Sequence, residues 1–176
     1  MGQLHSQLSE PDASPQDLID AYLFAKQVLA ESMQALLRDQ LPESCPAFRE
    51  LRERLSETLT EQFGGRIPAK YLKVPYGTRI HEELFSILLQ RAGEPVPAMM
   101  LRIIAADSVH AERRMRELRE LGLDIHAGKA QGTDVYTLCS LEIDPSLTPS
   151  IIGNLIKKDK SLPKQEKDAL LASLEA

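Results

Sequence analysis

Between Gly93 and Leu138 the chain changes its apolar period, and few folds accommodate that switch. Upstream, over residues 79–91, Ile80, Leu84, Ile87 and Leu88 recur at the spacing of one helix face. Downstream of Gly122, residues 123–127 and 133–138 form two short strand-like runs joined around Gly128 and Gly132, which predicts a β-hairpin. The segment between these patterns stays helical. Gly93 closes the first helix as a left-handed cap residue, without a Cβ to pay for that conformation. Pro97 can open a second short helix carrying Met100, Leu101 and Ile104. Ala105 and Ala106 then predict a tight corner. Asp107 or Ser108 offers the side-chain oxygen that caps a third helix, which ends at Gly122.

Three helices followed by a hairpin is the order of a winged helix, and residues 79–139 resemble the winged helix-turn-helix of the biotin-repressor type. The resemblance is carried by Gly93 to Val96 before the second helix and by the run Arg116-Glu117-Leu118-Arg119-Glu120-Leu121-Gly122-Leu123-Asp124-Ile125. A glycine-bearing wing closing with Tyr136-Thr137-Leu138 completes it. Similar modules sit beside nuclease domains in some HNH-type restriction endonucleases. The resemblance implies double-stranded DNA as the ligand. Two departures are Ala105, where such turns often carry glycine, and the pair Pro95 and Pro97, which affects where the second helix starts.

At 176 residues the chain is one ordinary domain or a small domain with appendages. Aromatics make up 5% and Trp is absent, so the core must come from Leu, Ile, Met and Ala, which favours helices. No apolar run approaches the roughly 20 residues of a membrane span. With no cationic-then-apolar leader pattern, a cytoplasmic location is expected. Met1 to Ser6 fits the formal myristoylation pattern, but neither a polybasic patch nor a nearby cysteine supplies a second anchor. The net charge of −5 argues against coating nucleic acid by charge alone. The charge is unevenly spread. Residues 64–81 hold Arg66, Lys70, Lys73 and Arg79 and no acid, whereas the preceding stretch is acidic.

Residues 1–13 are polar and aperiodic, which predicts a flexible tail. Ser14-Pro15-Gln16-Asp17 is a helix start, with a Ser cap and an acid near the positive end of the dipole. Leu18, Tyr22, Ala25, Leu29, Met33 and Leu36 then mark one face of a long helix ending before Pro42. A second helix runs from about Pro46 to Phe63, with Phe48, Leu51, Leu55 and Leu59 on one face, and Gly64-Gly65 stops it. This helical hairpin, residues 14–63, cannot bury both faces alone. It must pack within the chain or against a second copy, and DNA readers commonly pair to match two half-sites.

Residues 64–78 form a basic connector. Phe63-Gly64-Gly65 followed by Tyr71 and Pro75 is faintly similar to a segment of the Mor/C phage transcription activators, with longer spacing and Lys73 interrupting the run. Either Tyr71, Leu72 and Val74 form a short strand or plug the core, or the cations beside Tyr71 and Tyr76 contact phosphate. After the 79–140 winged segment, residues 141–176 predict a linker and two helices, starting at Thr148-Pro149 and near Ser161 and Pro163. Lys157, Lys158, Lys160, Lys164 and Lys167 cluster there, as on a solvated face.

Catalytic chemistry is hard to find. The histidines, His5, His81, His110 and His126, have no close spacing with Cys45 or Cys139, so the pattern indicates no zinc site or other cofactor. Gly64-Gly65 lacks the Lys-Ser/Thr of a phosphate loop. No Asp/Glu-x-Lys triplet and no HNH cluster occurs. The chain is therefore not expected to be an enzyme. The third helix carries the best signal. At about 100° per residue its core stripe is Ala111, Met115 and Leu118, and Val109, Arg113 and Arg116 project from the opposite side. Ser108 and His110 sit in its first turn. In a helix-turn-helix that half enters the major groove, where Arg can pair bidentately with guanine. Lys129 at the wing tip could meet a phosphate, as could Arg66, Lys70 and Lys73. The same helix also offers the surface pairs Glu112–Arg116 and Arg113–Glu117. The segment 93–140 is slightly acidic in balance, so a protein could be its partner instead.

The expectation is a mainly α protein in five parts: the tail, the helical hairpin, the connector, the winged helix and a C-terminal helical extension. Its expected function is sequence-specific binding of double-stranded DNA as a homodimer, in transcription regulation. The alternatives are the recognition module of a restriction-modification nuclease whose catalytic part lies elsewhere, or a scaffold docking a protein through the winged helix or C-terminal helices.

Overall fold

The computed structural model describes Gly2, Ser6 and residues 14–106 and 111–175. The expected tail, the Asp107–Ser108 cap and the candidate contacts Ser108, Val109 and His110 lie outside the described residues, Gly2 and Ser6 apart. Helix α1 spans Pro15–Arg38, and the Ser14 side chain accepts from the Asp17 N–H as the N-cap pattern required. Helix α2 spans Pro46–Phe63. A basic connector with one 3-10 turn, Ala69–Tyr71, leads to α3, Arg79–Gln90. Then come strand β1, Val96–Pro97, helices α4, Ala98–Ile104, and α5, Ala111–Glu120, and strands β2, Asp124–Ala130, and β3, Thr133–Ser140. Helices α6, Thr148–Lys158, and α7, Lys164–Glu175, complete the chain. The fold is mainly helical, with a helical pair at the start, a β-hairpin wing and a helical extension at the end. No helix among the described residues is long and apolar enough to cross a membrane.

The sheet is antiparallel in the order β1-β3-β2. β1, which the sequence pattern does not reveal, pairs Val96 with Tyr136 and Pro97 with Val135. Two residues are too few to show a period, and a proline, which cannot donate to a ladder, suits a short edge strand. The hairpin turns at Gln131 and Gly132, both at positive φ (50° and 79°), the conformation of a tight primed turn. Gly128 belongs to β2, opposite Val135, and not to the turn expected around it. Gly93 (φ 82°) donates its N–H to Leu138 O at 2.9 Å, so the end of α3 is tied to β3. Ala106 takes φ 50° at the corner after α4, where a glycine would carry no Cβ cost.

One buried cluster joins elements from both ends of the chain. Phe48, Leu55 and Leu59 of α2 meet Leu84, Phe85 and Leu88 of α3, Met115 and Leu118 of α5, Leu138 of β3 and Ile152 and Ile156 of α6. Ile67, Tyr71, Leu72 and Val74 of the connector are also buried there, so the connector plugs the core and forms no strand.

The two N-terminal helices have different fates. The α2 face is buried as its pattern demands, but no residue of α1 is buried. Helix α1 lies along α4, held by Gln34, whose side-chain amide donates to Ile104 O at 2.5 Å, and by Arg38 on Glu83 at 2.7 Å. Tyr22, Leu29, Met33 and Leu36, the stripe expected to pack, are 57%, 50%, 37% and 53% exposed.

Candidate nucleic-acid interface

Helix α5 is seated by its apolar stripe and by one buried acid. Ala111, Met115 and Leu118 are buried, as the 3.6 period predicts. Glu117, which the pattern leaves outside that stripe, is buried with them. Its carboxylate accepts from Arg113 at 3.0 Å, from Arg114 at 2.8 Å and from His81 of α3 at 2.9 Å. Burial works against the Glu117 charge, but the bonds from Arg114, His81 and Arg113 outweigh it and hold the carboxyl down at about 2. For His81, burial dominates over the Glu117 attraction and lowers its pKa. A neutral ring satisfies both neighbours: Nε2–H donates to Glu117, while Nδ1 accepts from the Thr78 hydroxyl at 2.7 Å. His81 is therefore a buried positioning group for α5.

The outward side of α5 presents Arg113 and Arg116, both exposed. They differ in freedom. The Arg113 guanidinium is held by Glu117, the i,i+4 pair expected from the sequence. Arg116 makes no ion pair or side-chain hydrogen bond with any of the described residues. The other expected pair, Glu112–Arg116, does not form, because Glu112 turns instead to Arg102 of α4 at 2.5 Å. Lys129 is exposed one step from the turn, opposite Asp134.

The connector cations divide likewise. Arg66 stacks over Phe63 at 5.4 Å and donates to Gln62 O at 3.4 Å. Lys70 sits 4.6 Å over Tyr71 and 2.8 Å from Asp159. That bond raises the Lys70 pKa and is the main reason, before Ser161 and Tyr71, that Asp159 is held well below the usual carboxylate range. Lys73 is exposed and unpaired among the described residues. Lys158, at the end of α6, donates to the Tyr76 hydroxyl at 3.2 Å and lies over its ring at 5.6 Å. Tyr76 in turn donates to Glu120 of α5. Burial, followed by that bond, pushes the Tyr76 hydroxyl pKa up. The C-terminal lysines thus border the basic connector. In sequence the two regions stand apart, because nothing local links residues 70 and 159.

A cavity of about 320 Å³ opens between the α1–α2 loop and α3, lined among others by Arg38, Cys45, Arg79, Glu82 and Glu83. Two of its acids, Glu82 and Glu83, are occupied. Glu83 is gripped by Arg38 and Arg79 at 2.7 and 2.8 Å, and Glu82 accepts from the Cys45 N–H at 2.6 Å and lies 3.2 Å from Arg49. Carboxylates so occupied make poor proton-transfer groups. On the wing, by contrast, the hairpin brings Asp124, His126 and Cys139 within ligand distance of one another, a grouping that sequence spacing hides.

Residues 81–139, from α3 to the end of β3, match a family model described as the KpnI N-terminal domain. The match covers the three helices and the wing and leaves out α1, α2, the connector and the C-terminal helices. Neither a curated protein nor a solved structure matches the chain.

Proposed function

We propose that this chain is a non-catalytic recognition module for double-stranded DNA in a restriction-type system, working as a homodimer with nuclease chemistry on another polypeptide. The observation that carries it is the placement of exposed Arg113 and Arg116 on the outer face of α5, beside a wing with Lys129 near its tip. The order of three helices and a wing supports the winged helix-turn-helix reading, in which this face enters the major groove. The match to the KpnI N-terminal domain supports the restriction-type setting over the transcription regulator first expected from sequence. Lys73, Lys70 and Arg66 add phosphate contacts that fix register without reading bases.

Helix α1 supplies the dimer contact. Eight large apolar side chains between Ile19 and Leu36 are 37–62% exposed on one helix. Such a patch is at the upper end of what a monomer shows, on the order of several hundred Å². A second α1 is a partner of the same length and apolarity, and covering both faces would remove these side chains from water. Pairing through α1 leaves α5 and the wing free to face DNA.

The test is fluorescence anisotropy against random duplexes over a salt series, followed by site selection. The proposal expects salt-dependent binding with a preferred site. Absence of binding at low salt would give the winged segment to a protein partner.

A further inference from the structure

We propose that Asp124, His126 and Cys139 form a zinc-class metal site on the exposed face of the wing base. The His126 and Asp124 side chains lie on the same face of β2, with Nε2 and Oδ1 2.9 Å apart. Cys139 comes from β3. One ligand atom from each of the three residues lies within 4.8 Å of the other two, and all three side chains are exposed. In a zinc tetrahedron with bonds of 2.0–2.3 Å, ligand atoms stand roughly 3.3–3.6 Å apart. Small side-chain rotations would therefore close the set around one ion.

The backbone departs from regular pairing at two of the same three residues, Asp124 and Cys139. The ladder runs in register from Ala130↔Thr133 to Ile125↔Leu138, so regular pairing would put Cys139 opposite Asp124. Asp124 instead pairs with Ser140, which makes Cys139 the extra residue of a β-bulge. A bulge takes one residue out of the ladder, bends the strand and re-aims its side chain, and such bulges are over-represented beside functional sites. The distortion falls on the one residue of β3 that can offer a thiolate.

The donor set selects the ion. A thiolate, an imidazole and a carboxylate together suit borderline-soft Zn²⁺ and exclude Mg²⁺ and Ca²⁺, which want oxygen alone. Binding converts the Cys139 S–H, which now donates to Thr137 O at 3.7 Å, into a metal-bound thiolate, and its proton passes to solvent. Three protein ligands leave a fourth tetrahedral position for water or a partner's donor group. The ion would clamp the first residues of β2 to the end of β3 and stiffen the wing.

Cobalt(II) reports directly on this site. The purified full-length chain would be titrated with Co²⁺ and followed for tetrahedral ligand-field bands and a thiolate-to-cobalt charge-transfer band. The expected result is saturation near one ion per chain and displacement of cobalt by Zn²⁺. The charge-transfer band should be lost in Cys139→Ser, and affinity should fall at least tenfold in His126→Gln and Asp124→Asn. All three positions are exposed, so these variants should fold, and far-ultraviolet circular dichroism checks that. Zinc should also slow alkylation of Cys139 in the wild-type chain and leave it unchanged in His126→Gln. A missing charge-transfer band, a band that survives Cys139→Ser, or saturation at half an ion per chain with metal-driven dimerisation would each overturn the site.

Discussion

His81 Nε2 and Glu117 Oε2 lie 2.9 Å apart, with both side chains buried, and this pair couples the first helix of the matched segment to its outward-facing helix. Glu117 also holds Arg113 and Arg114, so one carboxylate sets both the seating of α5 and the aim of a proposed DNA contact. Replacing Glu117 by Ala strands the buried imidazole N–H and frees two guanidiniums. The loss should be about 1–3 kcal/mol, the cost of leaving a buried neutral donor unsatisfied, because the two guanidiniums released reach solvent. Urea unfolding measures it, and a change below about 1 kcal/mol would show that the pair is dispensable.

Acid should destabilise the protein in two windows. The folded-state pKa of His81 is lowered, so below its ordinary value of 6.5 the unfolded chain takes up a proton that the folded chain resists. Stability tied to His81 is complete above that pH and declines below it. The Glu117 carboxyl titrates at about 2 in the fold against 4.5 ordinarily, so its contribution is present above 4.5 and lost as pH falls toward 2. Melting temperature against pH should fall below 6.5 and again below 4.5. In His81→Gln the upper step should vanish and the lower remain; an unchanged upper step would assign it elsewhere.

Arg116→Ala should cost about 1–3 kcal/mol on the preferred duplex and much less on random DNA, because its guanidinium has no partner among the described residues and can pair with a base edge. Arg113→Ala should cost less on DNA than Arg116→Ala, since Glu117 already competes for its charge. Equal losses on preferred and random duplexes would reduce α5 to a phosphate clamp.

The dimer contact can be separated from the fold. Leu29 is 50% exposed on α1, whereas Leu55 of α2 is 2% exposed in the core. Leu29→Asp should yield a folded monomer, and Leu55→Asp should unfold the chain by burying an unpaired charge. Light scattering with circular dichroism distinguishes them. A wild-type chain that is monomeric at every concentration would remove α1 as a self-pairing surface.

In the connector, Lys73→Ala should lower affinity for all duplexes alike and flatten the salt slope by about one phosphate contact. Lys70→Ala should do the same and also loosen the tie to α6, because Lys70 is bonded to Asp159. Unchanged slopes in both would make the connector purely structural.

Local pattern determined the helices and their ends. The Ser14 cap, the limits of α2, Gly93 and Gly122 at positive φ, and the Ala111-Met115-Leu118 stripe all follow from spacing and backbone preference, which act within a few residues. The outward placement of Arg113 and Arg116 follows from the same period. Tertiary structure decided what those faces meet. Periodicity marks a face as apolar but not as covered, so the stripes of α1 and α2 look alike in sequence while only α2 is buried. The two-residue β1 has no period to read. Burial of Glu117 depended on His81, thirty-six residues away, arriving with a matching donor. Cys139 meets His126 only because the ladder folds back and brings the end of β3 beside the start of β2, and that strand register is not written in the identity of any single residue.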